Sequence, residues 1–247
     1  MSSARRMRLW RMIAAQAGPR PVALEHVCAS AIAATRTDGA AVAVALVASP
    51  RETLYSSSRI ASEAEDLSLS VGEGPCIDAL SGAPALAPDL RSSQSLARWP
   101  VFAPAAVQAG IHAVFALPLR IGAVRLGVLD LYRTEPGELH RDRLLDALVL
   151  ADTACAVLLD TAEHDLPGPA SEPIGLQHPE VHQATGMVSV QLGVTVALAS
   201  ARLRAHAYAH ERRLQDVARD VVARRLRFHR DDTAHGSRFE GDGPDED

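Results

Sequence analysis

Hydrophobic residues recur along this chain with two different periods, and the change of period divides it. The run Ala40 to Ala48 (AAVAVALVA) is short, apolar and β-branched at alternate positions, which predicts a buried strand. Ser49-Pro50 reads as a turn, with Thr53 to Ser57 returning as the partner strand. His112 to Leu119 and Val124 to Tyr132 predict two more strands, joined as a hairpin at Ile121-Gly122-Ala123, and Pro84 to Ala87 a short one. Helical stretches lie around them. Pro21 to about Arg36 should bury Val22, Leu24, Val27, Ala31 and Ile32; Ser62 to Leu69 is polar and acidic; Cys76 to Leu80 is a short helix ended by Gly82. A further helical segment runs from Trp99-Pro100 to Ala109-Gly110. From Glu138 to about Glu163, Leu144, Leu145, Leu148, Leu150, Val157 and Leu158 mark a long helix, broken by Pro167-Gly168-Pro169-Ala170.

Past that break the period is helical throughout. Between His178 and Phe228 three helices follow with almost no loop. Pro179 suits the first helical turn and Gly193 a C-terminal cap. Thr195 caps a second helix to about Tyr208. Leu214, Val217, Ala218, Val221, Val222 and Leu226 form the apolar stripe of the third. Such a bundle is too small for an enzyme pocket but suited to presenting a surface.

Composition adds a charge partition. The chain has 247 residues and a net charge of −5. The stretch Ser171 to Arg230 holds nine Arg against five acids, a local +4, while residues 1–170 are net −3 and 231–247 net −6. All 25 basic residues are Arg, a bias of the whole chain that cannot itself argue for nucleic acid. The first twelve residues set Arg5, Arg6, Arg8 and Arg11 around Met7, Leu9, Trp10 and Met12; a short amphipathic helix and a frayed terminus are both open readings. No apolar run approaches the ~18–20 residues of a membrane span, and the N-terminus does not read as a secretory signal. Cys28, Cys76 and Cys155 are too few and scattered for a disulfide framework or zinc site, so a reducing cytoplasm is expected.

The C-terminal residues Gln183-Ala184-x-Gly186-Met187-Val188, then Leu203-Arg204…Ala207-Tyr208, then Leu214-x-x-Val217-Ala218-x-x-Val221-Val222 resemble the ANTAR domain. The resemblance implies an RNA-binding transcription antiterminator that holds a pair of small hairpin loops in leader RNA. The residues expected at the RNA are Gln183, Ala184, Thr185, Gly186, Arg204, Tyr208, Arg212, Arg213 and Arg219. Many members carry Lys where this chain has Thr185, which removes a potential phosphate contact. Arg204 and Tyr208, four apart, share a helix face and can offer a cation for phosphate and a ring for a splayed-out base.

Upstream, Gly72-Glu73-Gly74-Pro75-Cys76-x-Asp78-Ala79, Pro88-Asp89, Arg98-Trp99-Pro100 and Leu126-Gly127-Val128-Leu129-Asp130-Leu131 resemble the GAF domain. That resemblance implies a small-molecule or redox sensor with its pocket between an antiparallel sheet and the helices crossing it. Cys76, Asp78 and Trp99 are the pocket candidates, and the helix dipole at Cys76 is expected to lower its thiol pKa. The combination recurs in actinobacterial regulators. The layout is α+β: a basic segment (1–20), a GAF-like sensor (21–165), a linker (166–177), an ANTAR-like three-helix bundle (178–230) and an acidic, disordered tail (231–247).

The reading is a cytoplasmic, homodimeric regulator with leader-transcript hairpins as partner and an unidentified small-molecule or protein signal as input. His178 and His182 stand four apart, a metal-compatible spacing, but no further ligand pattern is read around them and no Walker-type loop or Ser-His-Asp order is read, so no catalytic residue, cofactor or metal is expected. The rival is a GAF-type redox sensor or a methionine sulfoxide reductase-like enzyme using Cys76.

Overall fold

The computed structural model describes residues 3–46, 49–164 and 178–229. They divide into two units, one up to Pro179 and one from Glu180. The first runs α1 (Ser3–Ala17), α2 (Leu24–Thr35), β1 (Gly39–Leu46), β2 (Ser49–Ser56), α3 (Arg59–Val71), α4 (Pro75–Ala79), β3 (Ala85–Ala87), α5 (Ser93–Arg98), α6 (Phe102–Gln108), β4 (Ala113–Ile121), β5 (Val124–Arg133) and α7 (Arg141–His164). Its five strands make one antiparallel sheet in the order β2-β1-β5-β4-β3. The expected α+β layout, an antiparallel sheet with flanking helices, is present.

Both faces of that sheet are covered, which explains why its central strands read as continuous apolar runs. Alternate residues serve opposite layers. Val42, Phe115, Leu117, Leu129 and Leu131 face a core that includes Leu9 and Ile13 of α1, Val27 and Ala31 of α2, and Leu150 and Ala154 of α7. On the other side, Ala41, Val114 and Tyr132 meet Ala61 and Ala64 of α3 and Phe102 and Ala106 of α6. Ala116 and Val128 lie under Cys76 and Ala79 of α4.

The basic N-terminal segment is helical. Leu9 and Ile13 bury one side of α1, while Arg5 and Arg8 reach Asp146 of α7 at 2.9 and 2.6 Å, and Arg5 reaches Asp142 at 2.7 Å. Ser49-Pro50, expected as a turn, lies within β2 instead. β2 is an edge strand, and Pro is tolerated at the start of an edge because its missing N–H removes no central ladder bond. The short helix α5 was not foreseen: Ser92 caps it by accepting from the Ser95 N–H at 3.2 Å.

The second unit contains α8 (Pro179–Leu192), α9 (Val196–Ala209) and α10 (Leu214–Val222). Thr195 caps α9 as expected, accepting from the Leu198 N–H at 3.3 Å. The buried apolar residues of these helices are Val181, Ala184 and Val188 of α8, Ala199, Leu203 and Ala207 of α9, and Leu214, Val217, Ala218 and Val221 of α10. The third helix is shorter than its stripe suggested. Arg224 takes a left-handed conformation (φ +60°), and the N–H groups of Arg225 and Leu226 both bond back to the Asp220 carbonyl. Leu226 therefore lies beyond the helix. The linker expected at 166–177 and the tail at 231–247 fall outside the described residues. No single described helix is long and apolar enough to cross a membrane; α8 and α9 pass that test of length and composition only as a pair bent by 105°.

One backbone approach sets the sheet's tolerance. A Cβ on Gly127 of β5 would stand 2.0 Å from the Ala43 carbonyl oxygen of β1. Neither partner is a side chain that can swing away. Gly127→Ala is therefore expected to destabilise the first unit by about 3 kcal/mol, measured as a lowered urea midpoint of its tryptophan fluorescence, both Trp10 and Trp99 lying in this unit.

Candidate functional site

Between the sheet and α3 and α4 lies a group of buried polar side chains centred on Arg51 of β2. Its Nη2 donates to Glu65 of α3 and stands 3.4 Å from Asp130 of β5; its Nη1 lies 3.1 Å from the Cys76 sulfur of α4. Glu65 also accepts from Thr53 Oγ1 at 2.8 Å and from the Tyr132 hydroxyl. Every member is buried, Asp130 completely. Arg51 Nε and Asp130 Oδ1 have no hydrogen-bond partner among the described residues.

The group places two carboxylates around one guanidinium in a water-poor site, and they are not equivalent. Glu65 has three donors. Asp130 has Arg51 alone, at long range. Burial raises the Asp130 pKa to about 6, with Arg51 only partly opposing it. Burial works against the Arg51 charge, yet Cys76, Asp130 and Tyr132 together hold its proton more tightly than usual. Burial likewise raises Tyr132 well above the ordinary phenol range.

The three expected pocket residues do not share one site. Cys76 faces the Arg51 group. Asp78 Oδ2 accepts from Trp99 Nε1 at 3.1 Å and from Arg98 Nε at 2.7 Å, while the Arg98 guanidinium lies 4.9 Å from the Trp99 ring centre. Asp78 and Trp99 thus tie α4 to the end of α5 as a structural clamp. The thiol expectation is reversed as well: burial raises the Cys76 pKa, Arg51 lowering it only in part. The desolvation of a sulfur that is 1% exposed outweighs the dipole of a helix of one turn. Cys28 and Cys155, both buried and free, belong to the cluster on the opposite face of the sheet. Arg51, Glu65 and Tyr132 were missed. One signal was available: Asp130 interrupts the apolar run Leu126 to Leu131, where a carboxylate needs a buried partner.

In the second unit the expected RNA residues separate by burial. Ala184 is fully buried and Thr185 is 1% exposed, its hydroxyl donating to the Val181 carbonyl at 2.7 Å. Both side chains point into the bundle rather than onto its surface. Gln183 and Gly186 are exposed on α8. Tyr208 is 70% exposed, so it is no core residue. Arg204, half-buried on the same flank of α9, donates from Nη1 to Ser200 Oγ at 2.8 Å, and burial lowers its pKa. Arg213 is exposed at the start of α10. Arg212 and Arg219 are already engaged, Arg212 with Asp220 at 2.7 Å and Arg219 with Asp216 at 2.8 Å. Among the described residues no cluster of three or more His, Cys, Asp or Glu could hold a metal ion.

Residues 177–222 match the ANTAR domain family. No curated protein matches the chain in sequence. Among solved structures, the chain is similar to the GAF domain of a phosphoenolpyruvate-protein phosphotransferase from Coxiella burnetii, at 14% identity and a TM-score of 0.48, over 66% of this chain and 98% of that one. The GAF domain of the corresponding Acinetobacter protein is similar at 13% identity and the same TM-score of 0.48, over 68% of this chain and 99% of that one.

The Arg51 group makes stability depend on pH. Because the folded Asp130 pKa lies above the ordinary value of 3.8, its contribution is fully present below that value and is lost as pH rises through about 6. Denaturant titrations of wild type should show this loss setting in above about pH 4 and complete a little above pH 6, on the order of 3 kcal/mol. Asp130→Asn should abolish that component.

Proposed function

We propose that the chain is a signal-responsive, RNA-binding transcription antiterminator. The observation that carries this reading is the ANTAR match at residues 177–222. It is supported by the geometry of α9, where an exposed aromatic ring stands beside an arginine. Tyr208 offers a face for an unstacked base and Arg204 a cation for the adjacent phosphate, the two contacts by which proteins commonly hold single-stranded loops. The bound RNA in this reading is a pair of hairpin loops in a leader transcript, and holding them keeps a terminator from forming.

The first unit serves as the sensor. The GAF-like motifs support this role, and the Arg51 group supplies a polar site under α3 and α4 where a signal could be read. The signal would act through α7 on a homodimer in the cytoplasm, pairing or separating two RNA-binding bundles. In the rival reading Cys76 is a reactive centre, but a buried sulfur with a raised pKa is poorly suited to that role.

Binding should be tested by gel shift with RNA carrying two adjacent hexaloop hairpins. The full chain is expected to bind it in a salt-sensitive manner and to bind duplex DNA far more weakly. Arg204→Ala and Tyr208→Ala should each weaken RNA binding about tenfold with unchanged helicity by circular dichroism. Equal affinity for duplex DNA would overturn the antiterminator reading.

A further inference from the structure

The flank of α9 opposite Arg204 and Tyr208 carries a second feature. At 100° per residue, Arg202, Ala205, His206 and Ala209 lie on the other side of the buried stripe of Ala199, Leu203 and Ala207. There they line a cleft of about 610 Å³ closed on its far side by Leu226, Arg227 and Phe228.

The wall of the cleft is aromatic. The rings of His206 and His210 stack with centres 4.1 Å apart and planes 26° from parallel. Phe228 meets His206 edge-on at 5.2 Å. The Nδ1 of His210 lies 2.8 Å from the His206 carbonyl, which can only accept, so Nδ1 carries the proton. That leaves Nε2 as the other polar atom of the exposed ring.

The rim carries two arginines without an acidic partner, and Arg204, Arg213 and Arg224 likewise have none elsewhere among the described residues of the unit. Arg212 and Arg225 share Asp220, and Arg219 pairs with Asp216 and Glu180. Arg202 and Arg227, by contrast, form no ion pair among the described residues. The segment that carries Arg227 and Phe228 is held in place: Arg212 and Arg225 both grip Asp220, and the Phe228 N–H donates to Gln191 Oε1 of α8 at 3.0 Å. The arginine hydrogen bonds hold the Asp220 pKa below its usual value. A flat aromatic wall with unneutralised guanidiniums at its edge fits a planar base joined to phosphate, and fits an apolar or cationic partner poorly.

We propose that this cleft receives one unstacked base of the bound RNA, against the His206–His210 stack, with the flanking phosphates on Arg202 and Arg227. The inference rests on the RNA-binding reading above and deepens it. It adds a second contact face, part of which (residues 226–228) lies beyond the family match.

The test uses the full chain and the paired-hairpin RNA, with single abasic substitutions introduced around each loop. His210→Ala and Arg227→Ala are suitable variants because both side chains are exposed and outside the core. Each should weaken binding of intact RNA about tenfold, and Arg227→Ala should also reduce the salt slope by about one. One abasic position should weaken binding to wild type yet have little further effect on His210→Ala. If wild type binds and both variants bind equally well, the cleft is overturned while the RNA-binding reading stands. If wild type does not bind the RNA, both are overturned.

Discussion

One guanidinium links four elements of the first unit. Arg51 comes from β2, and it meets Glu65 of α3, Cys76 of α4 and Asp130 of β5. Removing one member of such a buried group leaves its partners charged and unsolvated, a cost that generally exceeds what the intact pairing gains over water. The layer of α3 and α4 is therefore tied to the sheet by electrostatics as well as by its alanines and the neighbouring Phe102 of α6. The opposite layer is held differently: α1, α2 and α7 cover the sheet with leucines, isoleucine and valines, and their ion pairs lie at the edge, on Asp142 and Asp146. The sheet thus has a dry face and a polar one. The polar face is where a small molecule could exchange hydrogen bonds with the protein.

Much of this architecture was legible in the sequence because its signals are local. Short apolar runs bounded by turn residues marked β1, β4 and β5, and Pro179 and Thr195 marked helix starts at positions where the backbone needs them. The long-range polar pairing was not legible. Arg51, Glu65 and Asp130 are separated by 14 and 65 or more residues, and nothing in local pattern says that three charged side chains converge. Cys76 shows how a local rule can be right in kind and wrong in outcome. A helix N-terminus does favour a thiolate, but complete burial favours the thiol by more. Ser49-Pro50 failed for a similar reason, since a proline on an edge strand is indistinguishable in sequence from one in a turn.

In the bundle, sequence supplied the family and structure supplied the sorting. Small residues in the matched motif divide into those that fill the core, Ala184 and Thr185, and one that lies open, Gly186. The arginines divide too. Counting charge over the segment gives a uniform excess, whereas acids at Asp216 and Asp220 cancel that excess on one side and leave it on another.

The position of β2 gives the Arg51 group a mechanical character. β2 has a single hydrogen-bonded neighbour, and its register with β1 is irregular in two places, between Val42 and Ala43 and between Val44 and Leu46. Displacing it strains one ladder, where moving β1 or β5 would strain two. The residue that fastens two helices to the sheet therefore rides on an edge strand rather than on a central one. Load applied at the buried charges is borne by the edge, and the β1–β5–β4 centre can remain a fixed frame while the edge gives way.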